Sequence, residues 1–551
     1  MPGWPQGPLK PRDPTHVMRS TAKIDSLSHR YSYGTEGTDP ASSMLAERQG
    51  INQGWDWRQH LRTLVPIVGI FVVLAFYGID RQSMWEDEYN SLWRVTASKY
   101  PVWKDGHGFL YFALLNLWIH LGTSELVLRS LSVLLGALAV CLTYALATEL
   151  LNRRAAIFGT VLFATSPFFI WYSQEARYVT LVLAATLLSM YAFHRVISRP
   201  TFAWWFAYGA ATLLAFFSFL SMVLLAAVQG LYLLGSPRRF LLRRWLVCQV
   251  LVFTLFGWWF VKGTHFLPAL MEARGRGQQV IANPDVFPFT GEFNQVRLAV
   301  LPYTFFAFTT GFSMGPSPRE IYADRTLASL TPHAPILVLL GIFYGGLMLY
   351  GLFALHAERE SWVLCSLWVS VPILGVFGIA SLLNIYYDVR YVATAFPAYI
   401  LLLAAGIAGM KKRGAQMLFF GAVLAVHGVA LANYYFNPVY AREDARAATQ
   451  YLESEVGPRD VVLGVGNVNG LKYYSRGNWP SARLSKPPKS SSVVEQVQQL
   501  SKNHDRLWLV EIRPWQQDPA GKVKAALNVA YNLIEQKQFP GVDIYCYRLS
   551  Q

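Results

Sequence analysis

The chain has 551 residues, of which 53% are apolar and only 15% are charged, against about 25% charged in an average soluble domain. This composition excludes an ordinary soluble globular protein, and near-average contents of Gly (41) and Pro (29) exclude a collagen-like or broadly disordered chain. The net charge of +15 comes largely from basic tracts between apolar runs, such as residues 236–244 and 411–413. Such tracts orient helices in a bilayer, so we expect an integral membrane protein that does not bind nucleic acid.

Residues 1–62 are polar, mix charges of both signs and lack an apolar period, so we predict a disordered cytoplasmic tail. Eleven later segments are apolar over roughly the length, about 20 residues, that a bilayer crossing needs. The first begins near Thr63, too far along the chain for a cleavable leader, and we expect it to be a membrane helix. The predicted crossings are approximately 63–80, 126–151, 155–173, 178–197, 202–218, 220–235, 245–262, 334–354, 361–382, 392–410 and 415–435.

Two further apolar segments are interpreted as helices that do not cross. Residues 108–122 are short and rich in aromatic side chains, which is typical of an interfacial helix. Residues 295–312 are interpreted as re-entrant or interfacial, because an additional crossing would place the basic tract 411–413 outside. With both segments excluded and a cytoplasmic tail, the mostly basic tracts between helices fall on the cytoplasmic side, as the positive-inside rule requires. The predicted outer loops are residues 80–124, 263–295, 311–333 and 384–391.

The chain after Tyr435 changes character. Residues 440–455 have helical periodicity, residues 459–466 read as a buried strand, and residues 506–512 read as a second strand. We predict a second helix over 522–537 and a third strand over 542–549. The sequence therefore predicts a mainly α fold, a polytopic membrane helix bundle over residues 63–435, followed by a small extracytoplasmic α/β domain over residues 436–551.

Three consecutive acids, Glu86, Asp87 and Glu88, stand in the first predicted outer loop, a few residues after a membrane helix. Adjacent carboxylates near a bilayer repel one another and lose solvation, which raises the pKa of at least one of them unless cations lie close. The simpler interpretation is a solvated charge cluster anchored by neighbouring tryptophans. The functional interpretation is a general base or a metal-binding acid that faces a membrane-embedded substrate.

Arg177 ends the polar stretch SQEAR, directly before a predicted crossing. An arginine that snorkels to the membrane surface beside Glu175 explains this pattern about as well as a functional role does. The functional alternative is a phosphate clamp, because a guanidinium group binds phosphate oxygens in a planar fork.

Asp388, Arg390 and Tyr391 lie between two predicted crossings and offer either a second phosphate-directed cation or a loop salt bridge. Asp105 and His107 precede the short aromatic helix, where a single His is more often structural than a metal ligand. No spacing of ligands in the sequence requires a metal, although a divalent metal remains compatible with it.

Taken in order, these motifs resemble the GT-C class of integral-membrane glycosyltransferases, specifically relatives of the dolichyl-phosphate-mannose protein mannosyltransferases and of the lipid A aminoarabinose transferase. The resemblance covers roughly residues 60–435. The family's motifs are an Asp-Glu pair after the first membrane helix, a His-Pro-Pro-Leu-Tyr stretch, Ser-Glu-x-x-x-Arg, Ser-Pro-Phe with Ser-Gln-Glu-Ala-Arg, and an Arg-Tyr pair. Their counterparts here are Asp87-Glu88, GHGFLY at 106–111, SELVLR at 124–129, SPFFIWYSQEAR at 166–177 and Arg390-Tyr391.

This chain departs from the family pattern at two places. Gly108 and Phe109 stand where the family has two prolines after the His, and an extra acid, Glu86, precedes the Asp-Glu pair. The first difference leaves the path of that loop open. The second leaves open which carboxylate acts as the base.

The resemblance implies a glycosyltransferase that moves a hexosyl or pentosyl group, with inversion, from a polyprenyl-phosphate donor to an acceptor hydroxyl of a lipid, glycan or protein. Asp87 is then the catalytic base, and Glu88 a supporting or acceptor-binding acid. The resemblance implies that no cofactor is required, and it leaves a divalent metal open. Arg177 and Arg390, with Tyr391, are implied to hold the donor phosphate, and the remaining candidates for an acceptor or loop site are Glu86, Asp105, His107 and Glu175.

The expected location is a bacterial inner membrane, with the active site on the outer face among membrane lipids. A glycolipid-processing enzyme or an oligosaccharide polymerase is an alternative within the same fold. A transporter or flippase for a lipid-linked glycan is the alternative from another class, although transporters commonly show internal repeats and charges inside their spans. A scaffold that presents the C-terminal domain is a third interpretation, and it predicts no dependence on Asp87.

Overall fold

A computed structural model describes residues 57–97, 108–263, 298–317, 319–320, 327–383, 387–477, 479–483, 498–500, 502–514, 518 and 520–549. Within these residues, eight helical stretches are long and apolar enough to cross a membrane, or nine if one bent pair is counted as a span. The helices of the membrane domain, in chain order, are α1 (Trp57–Phe76), α2 (Glu86–Thr96), α3 (Phe109–Trp118), α4 (Glu125–Leu150), α5 (Arg153–Thr165), α6 (Pro167–Ser173), α7 (Val179–Ser198), α8 (Phe202–Ser218), α9 (Val223–Gly235), α10 (Leu242–Gly263), α11 (Val300–Thr310), α12 (Ala334–Leu355), α13 (Arg359–Leu383), α14 (Phe396–Ala408) and α15 (Arg413–Phe436).

Nine of the eleven predicted crossings coincide with helices long enough to span, when the bent pair is counted as one span, whereas residues 202–218 and 220–235 fall on the shorter apolar helices Phe202–Ser218 and Leu220–Gly235. The exception to a straight crossing is residues 155–173, where α5 and α6 meet at a bend of 50°. Ser166 caps α6 by accepting a hydrogen bond from the backbone N–H of Phe169, and Pro167 occupies the first helical position. A cap followed by proline starts a new helix, which explains why the predicted single span is broken.

The two segments predicted not to cross are short helices. The helix α11 has 11 residues, and α3 has 10 residues followed by a 3₁₀ turn at Ile119–Leu121. A helix of 11 residues extends about 16 Å, about half of a bilayer's hydrocarbon core of about 30 Å. Neither helix can therefore span a membrane alone.

The structure corrects two sequence-based predictions at the N-terminal side of the membrane domain. The first span begins at Trp57, so part of the predicted tail is helical, and residues 1–56 lie outside the described residues. The acids predicted to lie in a loop instead form the first turn of α2. The Glu88 carboxylate accepts the backbone N–H of Trp85 at 3.5 Å, and acids in a first turn are stabilised by the helix dipole.

The C-terminal domain is a five-stranded sheet with strand order β2-β1-β3-β5-β4. Strand β1 pairs in parallel with β2 and β3, whereas β5 pairs antiparallel with β3 and β4. Alternate residues of the sheet pack on α16 on one face and on α18 on the other. The elements are β1 (Asp460–Gly466), β2 (Ser481–Arg483), β3 (Arg506–Ile512), β4 (Asn532–Phe539), β5 (Val542–Arg548), α16 (Ala445–Glu455), α17 (Leu471–Tyr474) and α18 (Lys522–Ala530).

The three predicted strands are present, but the predicted helix over 522–537 is wrong beyond Ala530. The helix α18 ends there, and residues 532–539 form the edge strand β4, which turns at Gly541 (φ 67°) and pairs with β5. Pairing with a neighbouring strand overrides the local preference of this polar segment. The first predicted helix also starts later, at Ala445, where Asp444 accepts the backbone N–H of Ala447 at 3.1 Å.

Residues 56–551 form one compact unit, so contacts between the membrane helices and the sheet are part of the fold. The chain proceeds from β1 to β2 on one side and then to β3 on the other side of β1. The carboxyl ends of β1 and β3 therefore flank a point at which the strand order reverses.

Candidate active site

Asp87 lies at the centre of a charged cluster built from three separate parts of the chain. Its carboxylate Oδ2 is 2.6 Å from Nη1 of Arg390 and 3.9 Å from Nη2 of Arg177. Arg177 also donates hydrogen bonds to the backbone oxygen of Asp87 (3.2 Å) and to Oγ of Ser91 (3.3 Å). The fold thus brings together two arginines that stand 90 and 303 positions from this acid in the sequence.

Arg390 is held in place by its own neighbour in the chain. Asp388 Oδ2 accepts hydrogen bonds from Nη2 (2.6 Å) and Nε (3.0 Å) of Arg390, while its Oδ1 accepts the backbone N–H of the same residue (2.9 Å). Both residues stand at the start of the 3₁₀ segment Val389–Ala395 that leads into α14. The guanidinium is therefore rigidly presented toward Asp87, with Asp388 fixing its far side.

The electrostatic environment keeps Asp87 ionised. Burial raises the pKa of this carboxyl, but the positive charges of Arg177 and Arg390 more than offset burial and hold the pKa well below its ordinary value. In this arrangement Asp87 is a carboxylate at neutral pH and a weak base, because its negative charge is shared with two guanidinium groups.

Glu88, the next residue, has a different environment, since its side chain is completely buried. Arg129 donates to both carboxylate oxygens, from Nε and Nη2, at 2.8 Å each, and Arg442 Nη1 lies 3.3 Å away. The backbone N–H of Ala176 supplies a further hydrogen bond at 3.0 Å. A carboxylate enclosed in this way cannot contact an acceptor, so of the two roles the resemblance implied for Glu88 only the supporting one fits the geometry.

Arg129 extends this buried cluster into the loop between α1 and α2. Its guanidinium donates hydrogen bonds to the backbone oxygens of Ile79 (2.6 Å), Gln82 (2.9 Å) and Ser83 (3.2 Å). The loop that precedes the acidic turn is therefore fixed from within the membrane domain.

Glu175 also lies in the buried cluster rather than at a surface. Its Oε1 is 3.2 Å from Nη2 of Arg442, and the Arg442 guanidinium stacks over the ring of Trp171 at 5.0 Å. Burial raises the pKa of Glu175 to about 7, although the charge of Arg442 lowers it in part. The acceptor-site role considered for Glu175 does not fit a side chain with no exposed surface.

Glu86 faces the C-terminal domain. Its Oε1 accepts a hydrogen bond from Nδ2 of Asn469 at 2.9 Å. Two neighbouring contacts cross the same interface: Ser83 Oγ donates to Asp444 (2.7 Å), and the backbone N–H of Met84 donates to the hydroxyl of Tyr474 (2.6 Å). The segment that carries the acids is thus held by both domains.

Tyr391 contributes an aromatic wall beside the arginines. Its ring stacks on Phe219 (5.5 Å between centroids), which stacks on Tyr178 (4.6 Å). Arg177 lies 5.1 Å from the Tyr178 ring. Asp105 and His107 lie outside the described residues, and within the described part of the chain no three His, Cys, Asp or Glu side chains form a group that could hold a metal ion.

The sequence analysis did not identify the two arginines that contact the buried Glu88 carboxylate. Arg129 is the last residue of the SELVLR motif, and the motif does not assign it a role, whereas Arg442 lies in the segment 440–455, which is predicted to be helical. The sequence does indicate that cations are needed, because acids next to apolar helices require cationic partners when they are buried. The sequence could not identify these partners, which stand 41 and 354 positions from Glu88.

Comparison with known proteins extends this description. Residues 106–259 match the family described as dolichyl-phosphate-mannose-protein mannosyltransferase. An uncharacterized protein of Aquifex aeolicus (strain VF5) is 25% identical over 290 residues, which cover 48% of this chain and 56% of the relative. The match thus takes in little more than half of the relative's length.

Two solved structures have similar folds. ArnT from Cupriavidus metallidurans, bound to undecaprenyl phosphate, has a TM-score of 0.53 at 14% identity, over 88% of this chain and 98% of its own. The archaeal oligosaccharyltransferase AglB from Archaeoglobus fulgidus, in complex with an inhibitory peptide and a dolichol-phosphate, has a TM-score of 0.50 at 12% identity, over 89% of this chain and 74% of its own.

The fold and the order of the motifs define a polytopic membrane protein with a GT-C-like fold. The resemblance to GT-C integral-membrane glycosyltransferases is confirmed by the family match over residues 106–259 and by a fold shared along most of the chain. Residues 106–259 are thus similar to the dolichyl-phosphate-mannose-protein mannosyltransferases.

Proposed function

We propose that the protein transfers a sugar from a polyprenyl-phosphate donor to an acceptor hydroxyl, with inversion, at the outer face of a bacterial inner membrane. The observation that carries this proposal is the cluster of one partly exposed carboxylate, Asp87, with two guanidinium groups, Arg177 and Arg390. A carboxylate and paired cations are the groups that a displacement at a phosphate-linked sugar needs. The lipid phosphates bound by ArnT and AglB, which share the fold, support the choice of donor.

The cations act on the leaving group. Breaking the bond between the anomeric carbon and the phosphate oxygen leaves a polyprenyl phosphate monoester, and fixed positive charges stabilise the negative charge that develops on it. Arg390 presents a planar fork whose far side is anchored by Asp388 at 2.6 Å. In this proposal Arg390 and Arg177 supply the positive charge at the phosphate, and Tyr391 lines the phosphate side of the site.

The ion pairs of Asp87 suggest how the base is activated. In the structure the Arg390 group that would bind phosphate is engaged by the Asp87 carboxylate at 2.6 Å. A bound phosphate competes for the same donors, so the carboxylate loses part of the positive charge that lowers its pKa. Asp87 then becomes more basic when donor is present, and it accepts the proton of the acceptor hydroxyl as that oxygen attacks the sugar.

The test is sugar transfer by the purified protein in lipid nanodiscs. Undecaprenyl-phosphate-linked sugars are supplied one at a time, with a bacterial lipid extract or with water as acceptor, and products are identified by mass spectrometry. We expect release of undecaprenyl phosphate by the wild-type protein and a large loss in Asp87→Asn, with Glu149→Gln, which alters an ion pair with Arg195 near the opposite end of α7, as the control.

Two outcomes would overturn the proposal. One is intact donor in every reaction while the same protein in vesicles moves the lipid-linked sugar between leaflets, which would make it a flippase. The other is equal turnover by the wild-type protein and Asp87→Asn, which would remove the enzymatic interpretation of the acidic turn.

A further inference from the structure

The carboxyl ends of β1 and β3 lie against the acidic turn of α2. Asn469, which follows β1, donates to Glu86 at 2.9 Å, and Arg513, which directly follows β3, places its guanidinium 5.2 Å from the ring of Trp85. The backbone at Gly470 approaches so closely that a Cβ there would lie 3.0 Å from the backbone oxygen of Met84. Open α/β sheets bind ligands outside the carboxyl ends of parallel strands where the strand order reverses, which here is the β1–β3 pair.

Arg513 has a strained backbone at this edge. Its φ is 51°, in the left-handed region, and the other non-glycine residue with positive φ in the described part of the chain is Asn503 (φ 70°). Asparagine adopts this conformation several times more often than other non-glycine residues, whereas arginine rarely does. An unfavourable conformation that the surroundings maintain at a ligand-binding edge points to a function for the side chain.

The Arg513 guanidinium is directed by a buried acid. Its Nε donates to Oε1 of Glu443 at 2.5 Å, and Glu443 has 8% of its side chain exposed. Arg513 also contributes, with Arg177 and Arg390, to the positive potential that lowers the pKa of Asp87. It is therefore a third cation within electrostatic range of the proposed base, and it comes from the C-terminal domain rather than from a membrane helix.

The positions of the three arginines in the fold indicate on which side of Asp87 the donor and the acceptor bind. Arg177 and Arg390 stand at the ends of membrane helices, where the phosphate of a lipid-linked donor must lie. Arg513 approaches Asp87 from the sheet, together with Glu86 and Asn469. Two molecules that react at one carbon approach it from opposite sides in an inverting displacement, so the sheet side is the acceptor side.

We propose that Arg513, Glu86 and Trp85 form the acceptor subsite and that the acceptor is a neutral, hydroxyl-rich saccharide. This inference rests on the proposed function. Glu443 balances the charge of Arg513, and the Trp85 indole N–H is buried without a hydrogen-bond partner among the described residues. Planar polar groups of balanced charge beside an indole suit hydroxyl groups, which both donate and accept, better than they suit an anion.

The test uses a double variant, because removing the guanidinium alone would leave the buried Glu443 carboxylate unpaired. Glu443→Gln/Arg513→Gly removes both charges, and glycine adopts the left-handed backbone without strain. The matched control is Glu443→Gln alone. Kinetics are measured in nanodiscs with an undecaprenyl-phosphate-linked sugar as donor and methyl glycosides as soluble acceptors, alongside donor hydrolysis by water and the melting temperature.

We expect the double variant to raise the acceptor KM at least tenfold while donor KM and melting temperature stay near those of Glu443→Gln. An unchanged acceptor KM overturns the role of Arg513. Transfer to a serine peptide or a lipid hydroxyl but to no methyl glycoside overturns the saccharide assignment. If the wild-type protein neither hydrolyses the donor nor transfers its sugar, the proposed function itself fails, and this inference fails with it.

Discussion

Asp87 and Glu88 are adjacent in the chain yet occupy opposite environments. The Asp87 side chain is 28% exposed and meets Arg177 and Arg390 at the edge of the membrane domain. The Glu88 side chain has no exposed surface and is enclosed by Arg129 and Arg442. Consecutive residues of a helix point about 100° apart, so one turn of α2 presents one acid outward and buries the next. The surroundings of Asp87 and Glu88, rather than their residue types, therefore determine their different roles.

The buried cluster is what gives the exposed one its geometry. Arg129 bonds Glu88 and three carbonyl oxygens of the preceding loop, while Arg442, which follows α15, joins Glu88 to Glu175. The buried Glu88 carboxylate therefore joins three parts of the chain: the α1–α2 loop, the α6–α7 junction and the start of the C-terminal domain. We therefore expect changes in the buried cluster to reduce stability and changes in the exposed cluster to reduce turnover.

The largest effect is expected at Glu88. Glu88→Gln leaves Arg129 and Arg442 buried without a full negative partner, and breaking a buried ion pair typically costs about 3–5 kcal/mol. We expect a loss of that size in the free energy of unfolding, measured by denaturant titration of the detergent-solubilised protein. Glu86→Gln is the control, and it should lose less than about 1 kcal/mol because the hydrogen bond from Asn469 survives at the partly exposed amide. A fully stable Glu88→Gln protein would mean that the buried cluster does not organise the fold.

Asp87→Asn should show the reverse pattern, with the loss in turnover rather than in stability. Asparagine keeps the size of the side chain but cannot accept a proton at neutral pH, so turnover should fall about a hundredfold, or about 2.7 kcal/mol in the activation barrier. Glu88→Gln assayed at a temperature where it remains folded should keep donor binding.

Donor binding gives a second readout for Asp87→Asn. Because the variant no longer engages Arg177 and Arg390 with a full negative charge, it should bind undecaprenyl phosphate as tightly as the wild-type protein or more tightly. Native mass spectrometry of the protein with this lipid measures the affinity. Weaker binding would show that the carboxylate does not compete with phosphate for the arginines.

The apolar runs predicted the helical membrane architecture, because each membrane helix has its own apolar segment in the sequence, but the helices at two of the eleven predicted crossings, residues 202–218 and 220–235, are shorter than a span needs. The order of the motifs also predicted that Asp87, Arg177 and Arg390 share one site, and the structure places them together; their roles in catalysis remain predictions. The division between Asp87 and Glu88 was not predictable. It depends on Arg129 and Arg442, which stand 41 and 354 positions from Glu88 and reach it only through helix packing.

The C-terminal domain shows the same limit in another form. Strands β1, β3 and β5 are buried and apolar, so their composition identified them. Strand β4 is almost entirely exposed and polar, and it forms because β5 offers it a pairing edge. The position of Arg513 is equally invisible in sequence, because a left-handed backbone at an arginine follows from the turn after β3 and not from the residue itself.

Glu175 provides a pH-dependent test of the buried cluster. Burial raises its pKa from an ordinary 4.5 to about 7, so the folded protein keeps a proton that the unfolded chain releases. Stability should therefore fall as pH rises from about 5 to 8, by on the order of 2 kcal/mol. Glu175→Gln should flatten this part of the profile, measured as melting temperature against pH.

Glu511 is the matched variant for that experiment. Burial raises the pKa of Glu511, in the sheet of the C-terminal domain, to about 7 as well. Glu511→Gln should remove a separate part of the slope, since Arg442 and Glu88 do not contact it. A Glu175→Gln profile that matches the wild-type slope would show that Glu175 is already ionised beside Arg442.

The smallest and most discriminating effect is expected when the two arginines of the exposed cluster are exchanged for lysine. Arg390 uses three nitrogen atoms, Nη1 on Asp87 and Nη2 with Nε on Asp388, whereas Arg177 makes longer single contacts of 3.2 and 3.3 Å. An ammonium group can replace a single contact but not a planar fork.

Arg390→Lys should therefore weaken undecaprenyl phosphate binding about tenfold, or about 1.4 kcal/mol. Arg177→Lys should weaken it only a few-fold, and Arg195→Lys, at a partly buried pair with Glu149 near the opposite end of α7, should leave it unchanged. Equal losses at Arg390 and Arg177 would mean that phosphate recognition depends on net charge alone, and the rigid presentation of Arg390 by Asp388 would then need another explanation.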